Sequence, residues 1–213
     1  MAKTTILFVR HGQSEANLQD LFAGHSGFPL TALGREQAKR TAEYIKRTYP
    51  VDAVYSSDLP RAFQTAEYTA RAFDLPLITD AHFREIYAGK WEGVAFDQLE
   101  KEYPEDFALW LKGTGDSCCT GGESLESLVE RVYQGLLGIA DKGKCIVVAS
   151  HATPLRSMLW KASGETTIDM KKFTWGSNCC ITEFTLEDGR LTAEKVNYVG
   201  HLEGVETKLP DNL

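Results

Sequence analysis

Two arginines and two histidines stand at or shortly after the ends of apolar segments in this chain. Arg10 and His11 follow residues 6–9, Arg61 follows residues 53–55, and His151 follows residues 146–149 in the sequence. Planar guanidinium groups match phosphate oxygens and stabilise the charge that spreads over them during phosphoryl transfer. One imidazole can attack phosphorus as a nucleophile, and the other can donate to the phosphoryl oxygens. These residue types therefore predict a site for phosphoryl transfer.

A carboxyl group near this set would complete the chemistry by protonating the departing alkoxide. Glu85 is the candidate, because it lies in residues 83–93, where aromatic, glycine and charged residues alternate without a helix or strand period. That pattern predicts a shaped loop, and loops often carry functional residues. The chain has no spaced set of histidine, cysteine or carboxylate ligands for a catalytic metal. We therefore expect a site that uses neither a metal nor a cofactor.

Buried strands must position these groups. Residues 6–9 are apolar and rich in branched and aromatic side chains, and residues 144–150 form the continuous apolar run typical of a strand covered on both faces. Residues 52–55 predict a further strand. In open α/β sheets, ligands collect at the carboxyl ends of the strands, which is where the arginine and histidine residues fall. The pattern favours an α/β fold with a mostly parallel central sheet.

Amphipathic helices are predicted between these strands. One is expected to begin at Pro60 behind an Asp58 cap, which would put Arg61 where free backbone N–H groups already favour an anion. Two others are predicted over residues 31–47 and from residue 123, where apolar side chains recur at helical spacing. The connecting loops then carry the remaining polar groups to the edge of the sheet.

The last part of the chain predicts a β-hairpin. Residues 179–186 and 191–198 flank Asp188-Gly189, a signal for a type I′ turn. Such a hairpin would add an antiparallel edge to the sheet. Residues 18–30, punctuated by glycine and proline, predict a loop that is long enough to lie over the mouth of the site.

Residues 94–122 differ in character from the rest of the chain. Phe96 to Leu111 predicts a helix broken at Pro104, and residues 113–122, rich in glycine and cysteine, predict a flexible segment. We interpret residues 94–122 as an insertion that sets specificity on one domain spanning residues 1–213. A chain of 213 residues with 43% hydrophobic content is long and apolar enough for one well-packed domain.

Charge and composition exclude several partners. A net charge of −7 argues against binding to nucleic acid or to a membrane surface, because such proteins usually carry a basic face. The apolar run near the start is too short for a signal peptide or a membrane span. We expect a soluble cytoplasmic protein whose partner is a small phosphate ester. The oligomeric state leaves no signal in the sequence.

The cysteines form neither a disulfide framework nor a spaced metal site. Two pairs are adjacent, and the count is odd: Cys118, Cys119, Cys145, Cys179 and Cys180. Structural zinc ligands usually have two to four residues between them, so a zinc site made by the two pairs is disfavoured. Free thiols in a reducing compartment are the preferred interpretation.

Several segments, in chain order, resemble signatures of the histidine phosphatase superfamily, the phosphoglycerate-mutase-like proteins. Arg10-His11-Gly12-Gln13-Ser14-Glu15-Ala16-Asn17 resembles R-H-G-[EQ]-[ST]-x-x-N, and Ser56 to Ala66 resembles S-S-x-L-x-R-A-x-Q-T-A. Shorter matches are Leu30-Thr31-Ala32-Leu33-Gly34, Phe83-Arg84-Glu85-Ile86, Trp91-Glu92-Gly93, Gly121-Gly122-Glu123-Ser124 and Val148-Ala149-Ser150-His151. The agreement of independent segments between residues 6 and 156 makes the resemblance specific.

The resemblance implies a three-layer α/β/α sandwich in which His11 becomes a phosphohistidine. The matching residues would take the roles of the family: a phosphate pocket from Arg10, Arg61 and His151, an acid and base at Glu85, and a phosphoryl contact at Asn17. Gly24 matches loosely a position where family members offer a backbone contact.

Three functions fit this resemblance. The favoured one is a phosphohydrolase for small phosphate monoesters; the alternatives are a cofactor-dependent phosphoglycerate mutase and a phosphate-binding module without turnover. Mutases of the family resemble one another in a Trp where this chain has Ala16, and in E-R-H-Y-G where it has Arg84-Glu85-Ile86-Tyr87. Residues 94–122 contain Lys101 and Lys112 but no arginine pair. These departures favour hydrolysis, and a complete set of nucleophile and acid argues against a simple binder.

Overall fold

The computed structural model describes residues 3–207, and within them six strands form one sheet. Strands β1 to β6 are Thr4–Arg10, Ala53–Ser56, Leu77–Thr79, Cys145–Ser150, Ile181–Glu187 and Arg190–Tyr198. Their order across the sheet is β3-β2-β4-β1-β5-β6. The first four in this order are parallel, whereas β5 and β6 run antiparallel. The predicted mostly parallel sheet with an antiparallel edge is therefore confirmed.

Seven α-helices connect these strands in the part of the chain that the structure describes. Helices α1 to α7 are Glu15–Leu18, Ala32–Thr48, Pro60–Phe73, Phe96–Glu102, Pro104–Trp110, Leu125–Ile139 and Ala152–Ser163. Alternate side chains of β1 enter two separate cores, because successive residues on a strand point to opposite faces. Ile6 and Phe8 pack in the core that contains α6 and α7, and Leu7 and Val9 pack in the core that contains α2 and α3. This is the predicted three-layer sandwich.

The hairpin turn between β5 and β6 has the predicted conformation. Asp188 and Gly189 have φ angles of +49° and +75°, and positive φ at both central residues defines a type I′ turn. The hairpin adds β5 beside β1 in antiparallel register, from Thr4 opposite Leu186 to Val9 opposite Ile181. As a result β1 lies inside the sheet and has strand neighbours on both sides.

The helix caps agree with the sequence in one case and differ in another. Thr31 caps α2, since its hydroxyl accepts a hydrogen bond from the Gly34 amide at 3.0 Å. The predicted Asp58 cap of α3 is wrong: the N-cap residue is Leu59, and no side chain caps the helix. The Asp58 carboxylate instead forms an ion pair with Arg84, whose guanidinium is a stronger partner than a backbone amide. Pro60, at the start of the helix, has no backbone N–H and therefore needs no acceptor there.

Residues 94–122 form α4, α5 and a packed loop against the α6 side of the sheet. The predicted break at Pro104 is present, because α4 ends at Glu102 and α5 begins at Pro104. Residues 113–122, predicted to be flexible, are instead held in place. Cys119 is fully buried, and the Trp91 indole donates a hydrogen bond of 2.9 Å to the Thr120 hydroxyl.

The five cysteines all lie within the described residues. All five cysteines are free thiols, and four of them are buried. Burial raises the pKa of the Cys179 and Cys180 thiols to about 12, so both are inert at neutral pH.

Within residues 3–207 no helix is both long enough and apolar enough to cross a bilayer.

Candidate active site

The carboxyl ends of the parallel strands surround one cavity of about 150 Å³. The predicted residues that line it are Arg10, His11, Asn17, Gly24, Arg61 and Glu85. His151 lies next to His11. Their ring centroids are 5.2 Å apart, and the planes of the two rings make an angle of 62°. All seven residues predicted from the sequence thus meet at one place. The loop before α2 contributes residues 20–24 to the cavity wall, as expected for a loop over the mouth.

The His11 imidazole is held in one tautomer. Its Nδ1 lies 2.7 Å from the Gly12 carbonyl oxygen, and because a carbonyl only accepts, Nδ1 carries the proton. Nε2 therefore carries the lone pair of the ring, which accepts a hydrogen bond of 3.2 Å from the Arg61 Nε. Burial, reinforced by the charges of Arg61 and Arg10, holds the pKa of His11 well below its usual range. A neutral imidazole with an available Nε2 is the form that can act as a nucleophile.

Arg61 is fully buried and its guanidinium is fixed at three points. Besides its contact with His11, it donates to the carbonyl oxygens of Ser26 at 3.0 Å and Gly24 at 2.8 Å. Burial lowers the pKa of Arg61 to about 10, so it stays charged at neutral pH. Gly24 has a φ of +47°, and a Cβ there would lie 2.7 Å from the Cβ of Ala88. Only glycine therefore fits at the position whose carbonyl holds Arg61.

Two buried nitrogen atoms in this region lack a hydrogen-bond partner among the described residues. They are Arg10 Nε and His151 Nδ1. Arg10 donates from its terminal nitrogen to the Gly176 carbonyl at 2.5 Å, and His151 Nε2 lies 2.9 Å from the Ser57 hydroxyl. Burial lowers the pKa of both side chains, in His151 well below its usual range. Buried polar groups are almost always paired, so these two atoms are candidate contacts for a polar ligand.

Glu85 is fixed at the edge of the cavity. Its Oε1 accepts from the backbone amide of Ile86 at 2.9 Å, and its Oε2 lies 3.5 Å from the amide of Thr153. The Glu85 carbonyl oxygen accepts from His25 Nε2 at 2.9 Å and from Arg131 at 3.2 Å. The carboxyl group therefore faces the cavity on a loop that neighbouring side chains hold still.

The amide of Asn17 is oriented by two neighbours. Its Oδ1 accepts from the Ser14 amide at 3.1 Å and from the side chain of Asn178 at 3.1 Å, which leaves its NH₂ group for a ligand. Asn178 is itself buried, and the same nitrogen donates to the His11 carbonyl at 3.0 Å. This pair ties the loop before β5 to the first motif.

The model of the histidine phosphatase superfamily (branch 1) matches residues 6–199. The chain belongs to this superfamily. It is 34% identical over 203 residues to phosphoglycerate mutase-like protein 4 of Arabidopsis thaliana, covering 93% of this chain and 86% of the relative. It is 33% identical over 202 residues to phosphoserine phosphatase 1 of Hydrogenobacter thermophilus, covering 92% and 93% respectively. The solved structure of Bacillus stearothermophilus YhfR shares the fold, with a TM-score of 0.87 at 23% identity over 93% of this chain and 99% of that one.

The activities of the superfamily's members are consistent with the geometry of the cavity. Its members are phosphatases or mutases, and both activities transfer a phosphoryl group. In this histidine phosphatase superfamily protein, the strand ends bring two arginines, two histidines and one carboxyl group to a single buried cavity. An anion of phosphate size would find charged donors, a nucleophilic nitrogen and an acid within the same space.

Sequence reasoning missed several residues of this cavity. Trp175, Asn178, Thr153 and Trp110 line it, and Ser57 supports His151 from behind. Ser57 lies within the Ser56 to Ala66 motif, and Thr153 lies two residues after the motif that ends at His151, so their positions are a usable signal. Trp175 and Asn178 lie in a loop without any periodic pattern, and Asn178 contacts a residue 161 positions away.

The buried histidines of this superfamily member predict how its stability depends on pH. Burial lowers the pKa of His11, His151 and His201, the last to about 4, whereas an unfolded histidine titrates near 6.5. Below pH 6.5 the unfolded chain takes up protons first, so stability is lost as the pH falls toward 4. We expect the urea midpoint of unfolding to decrease between pH 7.5 and 5.5. The decrease should be smaller in His201→Asn. It should be the same as in the unaltered protein in His82→Asn, because the His82 side chain is half exposed. If the urea midpoint fell equally with pH in the unaltered protein and in both variants, this account would be contradicted.

Proposed function

We propose that this protein is a phosphohydrolase that cleaves small phosphate monoesters through a phosphohistidine at His11. The observation that carries the proposal is the fixed tautomer: Gly12 holds the Nδ1 proton, and Nε2 with its lone pair is next to two buried arginines. A histidine in the reverse tautomer would direct a proton at the phosphorus atom. The name of the phosphoserine phosphatase relative supports the same reaction class.

In the first step the Nε2 lone pair of His11 attacks phosphorus and the bond from phosphorus to the ester oxygen breaks. The protonated carboxyl group of Glu85 gives its proton to the departing oxygen, so an alcohol leaves and Glu85 becomes a carboxylate. Arg10 and Arg61 hold the phosphoryl oxygens while charge spreads over them. The Gly12 carbonyl keeps its hydrogen bond to Nδ1, which stabilises the positive ring of the phosphohistidine.

In the second step water attacks the phosphohistidine from the side that the alcohol has left. The Glu85 carboxylate takes one proton from this water, the new bond from oxygen to phosphorus forms, and the bond from phosphorus to Nε2 breaks. Inorganic phosphate leaves, and both His11 and Glu85 return to their starting forms. His151 contributes through Nδ1, the buried atom that has no partner among the described residues and can contact a phosphoryl oxygen.

The lining of this cavity supports hydrolysis over mutase chemistry. Phe22, Phe96, Trp110 and Trp175 line it, and Arg10 and Arg61 are the only lysine or arginine side chains among the described residues that line the first cavity. A mutase must bind phosphoglycerate at its carboxylate as well as at its phosphate, and must hold its phosphoenzyme away from water. Because Phe96 and Trp110 come from residues 94–122, we include in the proposal that this segment is the specificity insertion of a single domain.

One experiment decides between the two enzyme activities. Inorganic phosphate release from a panel of phosphate monoesters is measured beside 2-phosphoglycerate formation from 3-phosphoglycerate, primed with 2,3-bisphosphoglycerate. We expect phosphate release to dominate. Mutase turnover that clearly exceeds phosphate release would overturn the proposal in favour of a mutase, and tight phosphate binding without either product would favour a binding module.

Inhibition by vanadate and resistance to chelators form a separate prediction. Vanadate can adopt the five-coordinate geometry of the transition state, so it should inhibit at concentrations far below those of substrate. Within residues 3–207 no group of three or more His, Cys, Asp or Glu side chains is arranged to hold a metal ion. Activity should therefore persist in EDTA. Loss of activity in EDTA that a divalent ion restores would show that the arginines do not stabilise the transition state alone.

A further inference from the structure

A second cavity of about 160 Å³ adjoins the first and has no part in the phosphoryl chemistry described above. Three residues line both cavities: Trp110, Thr153 and Trp175. The second cavity is therefore separated from the phosphate cavity only by two indole rings and one threonine. Its other walls include Arg156 and Lys171, two cations that the proposed phosphoryl transfer does not use.

The guanidinium of Arg156 is held rigidly and has spare donors. Its Nε donates to the Phe173 carbonyl at 2.7 Å, and its central carbon lies 4.2 Å from the centroid of the Trp175 ring. Among the described residues, Arg156 forms no ion pair, and its two terminal nitrogens have no hydrogen-bond partner. The nearby Asp169 carboxylate accepts from the backbone amide of Lys171 instead. A partly buried arginine that is fixed by stacking, with its terminal nitrogens unused, is well suited to bind a planar or tetrahedral anion.

Helix α7 sets the distance between the two cavities. His151 is the N-cap of α7, Thr153 lies in its first turn between the cavities, and Arg156 follows on the same face at i+3. Arg156 lies five positions after His151, which corresponds to about 7.5 Å along the helix axis. Because His151 and Arg156 belong to the same helix and its N-cap, the distance between their backbones is fixed.

From this arrangement we infer that the second cavity binds a remote anionic group of the substrate, so that the preferred esters carry a phosphate at one end and a second anion at the other. The inference rests on the proposed phosphohydrolase function and names its substrate class. The linker passes between Trp110 and Trp175, and the second anion contacts Arg156 and Lys171. About six single bonds, each advancing roughly 1.25 Å, span the helix-axis distance. 3-Phosphoglycerate, with four bonds between phosphorus and its carboxylate carbon, is shorter than this helix-axis distance.

A series of linear esters tests this inference directly. We would measure kcat/KM for ω-carboxyalkyl phosphates of increasing length, each compared with the alkyl phosphate of the same chain length. A parallel series of α,ω-alkane bisphosphates distinguishes a second phosphate from a carboxylate. We expect an advantage of about 10- to 100-fold for the anionic ester, appearing only when the linker reaches the second cavity. An advantage in either anionic series supports the inference and identifies the preferred anion.

Variants then connect the advantage to the named cations. Arg156→Gln should remove it and Arg156→Lys should keep part of it, while both variants hydrolyse the plain alkyl phosphates at similar rates. Lys171→Gln should reduce the advantage, and its matched control Lys172→Gln should not, because Lys172 pairs with Glu165 and does not line the cavity. If Arg156 only held the loop through Phe173, the substitution would slow every ester equally, which would overturn the inference.

The outcomes separate this inference from the function on which it rests. Hydrolysis of alkyl phosphates without any advantage for an anionic ester of any length overturns the second-anion subsite and leaves the phosphohydrolase intact. Failure to release phosphate from any ester, including p-nitrophenyl phosphate, contradicts the proposed function itself. The length series uses the unaltered protein, so it stays decisive even if an Arg156 variant does not fold.

Discussion

Replacing His11 by alanine is expected to lower phosphate release by about 10⁴-fold or more, the loss typical of removing a catalytic nucleophile. The reason is structural: His11 lines the cavity, and its Nε2, which accepts from Arg61 Nε at 3.2 Å, is the attacking atom in the proposed mechanism. Rapid quench of the native protein with phosphate-labelled ester should trap a phosphoenzyme that is labile in acid and stable in base. The His11→Ala variant should form none.

The matched control for this substitution is His82→Ala. His82 pairs with Asp80 on the surface, its side chain is half exposed, and it does not line the cavity. It should keep both turnover and the phosphoenzyme. Normal turnover in His11→Ala would mean that another residue or a water molecule attacks phosphorus, and the covalent mechanism would be lost.

Replacing Glu85 by glutamine is expected to separate esters by their leaving groups. An alkoxide is a poor leaving group and needs a proton, so alkyl phosphates should slow by about 10²- to 10⁴-fold. The p-nitrophenolate ion leaves without protonation, so p-nitrophenyl phosphate should slow by less than about tenfold in its first step. Glutamine can still accept from the Ile86 amide through its Oε1, which preserves the position of the side chain. Single-turnover measurements on both esters isolate the first step from the attack of water.

Glu92→Gln serves as the neighbouring carboxylate control. Glu92 accepts hydrogen bonds from the His25 amide and the Ser26 hydroxyl but does not line the cavity. Its substitution should change the rates of the two esters by the same factor. Equal slowing of both esters in Glu85→Gln would assign the acid to a different residue.

The centre of the candidate site could be predicted from the sequence because strand ends obey a simple rule. Residues that follow parallel strands meet at one edge of a sheet, so the positions of Arg10, His11 and His151 behind apolar strands are enough to bring them together. Those strands are equally clear in the sequence, since residues 6–9 and 145–149 are continuously apolar. The structure buries all of them. Glu85 is a weaker candidate on pattern alone, because it lies in a loop that no periodic pattern describes, and the family resemblance strengthens it.

The remaining features depend on contacts that no local pattern records. Helix α1 has only four residues and forms because Ser14 and Asn17 cap each other reciprocally, within a segment that carries no helical period. Asp58 failed as a cap because Arg84, distant in sequence, competes for its carboxylate. Asn178 lies in the loop before β5, and the second cavity is lined by side chains from α5, α6, α7 and the segment between α7 and β5, which only the complete fold brings together.

The position of β1 inside the sheet has a consequence for how the protein is made. This strand is synthesised first, but its partners β4 and β5 lie roughly 140 and 180 residues later in the chain, so its pairing has a high contact order and is expected to form slowly. Until then a nascent chain exposes an unpaired apolar strand, a feature that favours aggregation. The Cys179 amide donates to the Arg10 and His11 carbonyl oxygens, so the backbone at His11 gains this support only after residue 179 has been made. Chains that end before residue 179 should therefore be inactive and depend on chaperones, even though His11 follows directly after the first of the six strands.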